Sequence, residues 1–371
     1  MRARWSSAVL AAAVLLAGAS AQAQDVIKMR DNSDVKGRIV KLDAKGLTYE
    51  TGGKQTNLTN EQFQDFTLGD PPSFMRDGDK AARANDWDKA ISFYATGVGD
   101  IDKHPRKDIF KQFLYWNLAK AHRAKKDFDK ALAALKSLRK ECGDCRLRKD
   151  SWNESLDIAR GDKAKITIIL NEMKSEPEPM KGTAELELAK IQFESNDFKG
   201  AKDVFSRLAG NSSQPYAGSA AVWNVRCLKA LKETSALESA CKSALANRAG
   251  LTPSLLQAAA GALGDVLYEK AQSDPKLLRE ALVAYAQAIA AGPPPAGETP
   301  SDYTNALLNA GRSYVKLAGS AKPESMLNYQ GRARGYFSEL IRFYKNTEWA
   351  RSAEADLAAL DAAGAGAGAG S

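Results

Sequence analysis

Tyr115-Trp116-Asn117-Leu118-Ala119-Lys120-Ala121-His122-Arg123-Ala124-Lys125-Lys126-Asp127-Phe128-Asp129-Lys130-Ala131-Leu132 is the stretch that decides the fold. Leu118, Ala119 and His122 stand three and four residues apart, a spacing that places them on one stripe of a helix. Asp127-Phe128-Asp129 then closes a turn, and Ala131 and Leu135 begin the stripe of a second helix facing the first. Small Ala119 and Ala131 let the two backbones approach closely. The stretch therefore predicts a helical hairpin with a short, tight connection.

The same grammar returns in Ala84-Asn85-Asp86-Trp87-Asp88-Lys89-Ala90-Ile91 with Tyr94, and from Leu188-Ala189 through Asn196-Asp197-Phe198-Lys199-Gly200-Ala201 to Phe205. Weaker copies cover Trp223 to Ala246, Leu255 to Ala290, and a terminal pair from Tyr303 to Leu360. Recurrence at this period marks a helical solenoid, in which each unit buries its stripe only by stacking on the next. These residues resemble the tetratricopeptide (TPR) repeat, which implies a mainly α chain, a TPR-like helical-hairpin solenoid, and a concave groove that binds other proteins. Tyr336 to Tyr344 with Trp349 to Ala353 resembles the closing repeats of envelope TPR proteins, departing from them at Lys345, where a proline is usual. Arg146 to Met180 matches poorly and predicts a degenerate hairpin over Trp152–Arg160 and Lys163–Met173. Glu176-Pro177-Glu178-Pro179 predicts a turn after it.

In the best repeat the non-packing positions of the first helix are Trp116, Asn117, Lys120 and Arg123, spaced to share one trough. The resemblance implies that asparagine and basic residues there hold a carboxylate of a partner, an acidic segment or a C-terminus. The alternative is that Trp116 packs on the neighbouring repeat and both cations are solvated.

Asp25 to Leu68 follows a different rule. Val26–Met29, Val35–Leu42, Leu47–Thr51, Gln55–Leu58 and Phe63–Leu68 are short runs of strand character, separated by Asp31-Asn32-Ser33, Asp43-Ala44-Lys45-Gly46 and Gly52-Gly53-Lys54. Five such runs predict a small five-stranded SH3-like β barrel, and Asp25 to Asn32 followed by Gly37-Arg38-Ile39 resembles the opening hairpin of such barrels in secreted bacterial proteins. The expected organisation is a signal peptide at 1–23, the barrel at 24–69, a linker at 70–77, a first TPR-like stack at 78–180, a second at 181–361, and a disordered Ala/Gly tail at 362–371.

Arg2 and Arg4, the apolar run Ala8 to Ala17 and the small-residue site Ala21-Gln22-Ala23 follow the order of a secretory signal. Periplasmic or secreted localisation is expected, with no membrane span and, since Ala19 stands where a lipid-bearing cysteine is needed, no lipid anchor. The net charge is +8, and Lys103 to Lys165 alone holds 18 Lys and Arg against 9 Asp and Glu. That segment points to an acidic partner, and outside the cytoplasm to proteins or anionic wall polymers rather than nucleic acid. Two readings of function follow: an envelope scaffold that binds proteins through the array, or a peptidoglycan or anionic-polysaccharide binder using the barrel and residues 103–165.

Four cysteines in an oxidising compartment favour disulfides over metal sites. Cys227 and Cys241 flank a turn near Lys232, and Cys142-Gly143-Asp144-Cys145 forms the other expected pair, a structural loop disulfide. Its spacing is also that of redox motifs, but no thioredoxin-like strand-turn-helix surrounds it and Arg146 stands where haem attachment needs His. The sequence contains no nucleophile elbow, phosphate-cradling glycine loop or HExxH. No cofactor, metal or catalytic residue is expected, and the chain reads as a non-enzyme.

Overall fold

One turn, made four times, organises the helical part. Asn85, Lys126, Asn196 and Lys232 each adopt a left-handed backbone, with φ of 57°, 62°, 64° and 56°. At the first of these the Asn85 N–H donates to Ala82 O at 3.0 Å and the Asp86 N–H to Ala81 O at 2.9 Å. The nested pair closes one helix by satisfying its last carbonyls. The same two bonds recur at Lys126 with Asp127, Asn196 with Asp197 and Lys232 with Glu233. The second residue of each turn also begins the next helix, and Asp86 and Asp197 cap it with their carboxylates. Two residues thus reverse the chain.

The computed structural model describes residues 24–247, 250–272, 274–293 and 301–368, with side chains described to 362 in the final stretch. The expected signal peptide and the end of the tail, 369–371, lie outside the described residues. The chain divides into two compact units, 1–169 and 170–371.

The first unit opens with β1 (Asp25–Met29), β2 (Asp34–Asp43), β3 (Gly46–Thr51), β4 (Lys54–Thr59) and β5 (Phe63–Thr67). These form one antiparallel sheet in the order β4-β3-β2-β1-β5. The expected barrel is corrected here: the sheet is open, and no pairing of β4 with β5 closes it among the described residues. Its apolar face is covered by a helix instead, Ile27, Ile39, Leu42, Leu47, Leu58 and Phe63 packing with Ile109 and Phe113. That helix takes the place of closure.

Helices α1 (Ser73–Arg83), α2 (Trp87–Asp100), α3 (Lys107–Ala124), α4 (Phe128–Glu141) and α5 (Arg148–Ile158) follow, and the division between units falls within α6 (Lys163–Met173). Pro71-Pro72 makes a shorter link than expected, since α1 begins at Ser73. Asp25 ties the sheet to the helices. Its buried carboxylate accepts from the Ile39 and Gly69 N–H groups at 2.6 and 2.7 Å and from Arg106 Nη2 at 2.6 Å.

The second unit contains α7 (Met180–Glu194), α8 (Phe198–Ala209), α9 (Ala217–Ala230), α10 (Thr234–Ala246), α11 (Pro253–Ala271), α12 (Pro275–Ala290), α13 (Ser301–Gly319), α14 (Pro323–Phe343) and α15 (Glu348–Gly368). The backbone of α15 continues to Gly368, into the Ala/Gly stretch expected to be disordered.

A shared packing pair holds the hairpins that carry the turn. A residue seven before the left-handed position meets one nine after it: Gly78 with Tyr94, Ala119 with Leu135, Ala189 with Phe205, Val225 with Cys241. A Cβ on Gly78 would lie 2.4 Å from the Tyr94 ring. Further on, Gly264 meets Tyr285 and Gly311 meets Phe337 in the same way. Tyr94, Leu135, Phe205, Tyr285 and Phe337 are each buried to 2% exposure or less.

Candidate functional site: the troughs of the first helices

The turn supplies a common frame for comparing repeats. Positions nine, six and three residues before the left-handed residue fall on the first helix of each hairpin, away from its packing stripe. They are Arg76, Asp79 and Ala82 on α1, and Asn117, Lys120 and Arg123 on α3. On α7 they are Glu187, Lys190 and Phe193, and on α9 Trp223, Arg226 and Lys229. Most of these side chains line a hollow.

In the first unit, Asp79, Arg83, Trp87, Tyr94, Asn117 and Lys120 surround a hollow of about 290 Å³. Asp79 Oδ1 accepts from Tyr94 OH at 2.6 Å and Asn117 Nδ2 at 3.2 Å. Burial, reinforced by that carboxylate, raises the Tyr94 phenol well above its ordinary pKa. Lys120 Nζ stands 5.2 Å from the centroid of Trp116. Of the four expected residues, then, Asn117 and Lys120 share this hollow. Trp116 is half-buried, packing beside Leu138 and Leu147 on one side and Ala134 and Leu135 on the other. Arg123 turns toward α5, where it binds Glu154 Oε1 at 2.6 Å and the Asp157 carboxylate.

The excess charge of 103–165 is engaged in the same manner. Lys111 pairs with Glu141 at 2.9 Å, Lys130 with Asp127 at 2.9 Å and Lys165 with Asp129 at 2.7 Å, and Lys125 with Asp88. Much of the positive charge therefore meets carboxylates of the same unit.

The second unit holds a larger trough, of about 890 Å³, lined by side chains of α7 and α9 and by the starts of α11 and α13. Trp223 forms its floor. The indole stacks on Phe205 at 5.9 Å and meets Phe193 edge-on at 5.2 Å. Arg226 lies over the indole at 4.7 Å and binds Asp302 Oδ2 at 2.6 Å. Lys190 is 5.9 Å from the same ring and pairs with Glu187 at 2.7 Å; Lys229 pairs with Asp265 at 2.6 Å. Gly218 contributes no side chain to the wall, where a Cβ would meet Thr252 at 3.6 Å. The aromatic floor suits an apolar side chain, and an acidic group beside it would exchange with the carboxylates that already pair the three cations.

Sequence reasoning concentrated on α3 and passed over this trough. The signal was present: Trp223, Arg226 and Lys229 repeat the spacing of Asn117, Lys120 and Arg123 relative to the turn.

The expected Cys227–Cys241 disulfide is also corrected, whereas Cys142 and Cys145 pack in one cluster. Cys142, Cys145, Cys227 and Cys241 are all free thiols. Cys241 packs against Val225 in one apolar cluster, whereas Cys227, two residues further along α9, faces the cluster of Ala189 and Phe205. Residues two apart on a helix point to different sides, so this pair does not meet. Among the described residues no group of three or more His, Cys, Asp or Glu is placed to hold a metal. No described helix is long and apolar enough to cross a membrane.

No protein-family model matches the chain, and no curated protein matches it. Among solved structures it is similar to PilW, a widely conserved type IV pilus biogenesis factor, at 13% identity and a TM-score of 0.40, over 65% of this chain and 97% of that one. It is similar to BtubC from P. vanneervenii at 13% identity and a TM-score of 0.35, over 75% and 96%. The TPR2AB domain of yeast Sti1, solved with pHSP90, gives 14% identity and a TM-score of 0.27, over 76% and 97%. At these scores the functional reading rests on the geometry of the chain itself.

Proposed function

We propose that this chain is an envelope scaffold that binds other proteins through the troughs formed by the first helices of its TPR-like hairpins. The trough over Trp223 is the principal docking surface. Its make-up carries the reading: Phe193, Trp223 and three basic side chains from successive hairpins line one trough of about 890 Å³. The pairing of aromatic floor and cations favours a partner segment that combines an apolar anchor with acidic residues. The leader-like order of residues 2–23 supports an address outside the cytoplasm. The absence of recognised catalytic motifs supports a non-enzymatic role. The hollow around Asn117 and Lys120 serves as a secondary contact.

A photo-reactive residue placed at Ser219, in the trough, and at Val283, exposed on α12, tests this in cells. Protein adducts form from position 219 and not from 283, and Trp223→Ala reduces them at least about tenfold, as expected for loss of an aromatic anchor. Equal adducts from both positions, or adducts indifferent to Trp223→Ala, overturn the proposal. So does retention of the chain on purified peptidoglycan that survives deletion of the trough aromatics without any protein adduct.

A further inference from the structure

The loop that leaves α4 contains chemistry the docking reading does not use. Cys142 ends α4 and is half-buried, reaching solvent; Cys145 is 2% exposed, among Tyr115, Leu138 and Leu147. Gly143 between them adopts a left-handed φ of 57° that turns the chain, and both cysteines pack in one cluster.

The surroundings fix this loop on both sides. Arg148 Nη1 donates to Gly143 O and to Arg139 O, each at 2.7 Å. Cys145 forms an isolated antiparallel bridge with Asp43 at the end of β2. Arg146 lies 5.0 Å from the Phe63 centroid and donates to Asn60 Oδ1 at 2.5 Å. The loop is therefore a rigid seat in which one thiol faces outward and its neighbour stands behind it.

We propose that Cys142 and Cys145 form a redox-active dithiol that undergoes exchange with external disulfides. Cys142, the accessible thiol, loses its proton to solvent and attacks one sulfur of a disulfide RS–SR. The S–S bond of the reagent breaks, RS⁻ leaves and takes up a proton, and Cys142 is held as a mixed disulfide. The Cys145 thiolate then attacks the Cys142 sulfur and displaces the second RS⁻. The protein loses two electrons and two protons, and two RSH are released.

Its neighbour Cys145 and burial push the Cys142 thiol far above its ordinary range, so its proton leaves only as the sulfur attacks the disulfide. In the free dithiol Cys142 is the main cause that lowers Cys145; once Cys142 is a mixed disulfide it has no S–H to donate, and the Leu147 N–H and the charge of Arg148 are what still favour the Cys145 thiolate. Burial acts in the opposite sense on the other two cysteines, raising Cys227 to about 11 and Cys241 to about 12. Both are 0% exposed and remain protonated bystanders.

Treatment of the intact chain with oxidised glutathione, followed by alkylation and mass analysis, tests the assignment. Two of the four thiols are lost to alkylation, both in the peptide that carries Cys142 and Cys145, and dithiothreitol restores them. Cys145→Ser accumulates one glutathione adduct on Cys142, whereas Cys142→Ser accumulates none. Four alkylated thiols after oxidation, a bridge involving Cys227 or Cys241, or an adduct on Cys145 in the Cys142→Ser chain each overturn it. The wild-type measurement stands even where the Cys145→Ser chain folds poorly.

Discussion

The hollow beside Lys120 and the trough over Trp223 are built by equivalent positions of the same turn-defined repeat, yet they differ about threefold in volume. In the first unit the three positions hold Asn117, Lys120 and Arg123; Asn117 is bound to Asp79 and Arg123 to Glu154 and Asp157. In the second they hold Trp223, Arg226 and Lys229, and an indole stacked on Phe205 keeps two cations over its surface. The repeat that matches its motif best is thus not the one that opens the larger site. A close motif match describes how two helices of one hairpin pack. A trough depends on what successive hairpins leave unfilled between them, and Gly218 and the short Thr252 and Ser254 side chains leave the most.

The largest expected effects come from removing the packing residue beneath each site. Leu135→Ala and Phe205→Ala each delete a fully buried side chain at equivalent positions and cost about 3–5 kcal/mol, read as denaturant midpoints. They differ in binding. Phe205→Ala also removes the support of Trp223 and abolishes photo-crosslinking from position 219, while Leu135→Ala spares it in the folded fraction. Equal effects on crosslinking would show that the two sites act as one.

Arg123→Ala is a smaller and sharper probe. Loss of two partly exposed ion pairs costs about 1 kcal/mol, and crosslinking at 219 is unchanged because the guanidinium is committed to α5. A fall in crosslinking without a fall in stability would restore Arg123 as a docking residue.

The smallest effect is a pH dependence confined to the second unit. Bonds from Lys242 and Lys270 hold the Glu238 carboxyl down to about 2. A depressed carboxyl stabilises the fold above its unfolded pKa, near 4.5, and that contribution is lost as pH falls toward 2. Glu238→Gln therefore lowers stability by about 0.5 kcal/mol at pH 7, and the difference from the parent chain vanishes near pH 2. A difference that persisted there would assign the effect to packing rather than charge.

Much of this architecture was legible because its determinants are local. Asn85-Asp86, Lys126-Asp127 and Asn196-Asp197 mark the turns, and the five strands follow the alternation of the first 45 described residues closely. What escaped the sequence was set between distant segments. The sheet stays open because Ile109 and Phe113 of α3 cover it, and no periodicity within 25–68 announces a helix some 40 residues later. The Cys227–Cys241 bridge failed for a related reason: spacing across a turn brings two helices together without stating which side of each faces the other. Asn117 and Lys120 do line one hollow, and carrying their positions forward by repeat register leads to Trp223 and Arg226.

The carboxylate of Asp25 has a further meaning when the chain is considered as it is made. It stands at the start of β1, yet its three donors lie on Ile39, Gly69 and Arg106. During vectorial synthesis the opening strands emerge well before Arg106. Until that guanidinium arrives the carboxylate keeps its water, and seating β1 against the helices would strand a charge. The native seat of the first strand is therefore complete only with a residue 81 positions further along the chain.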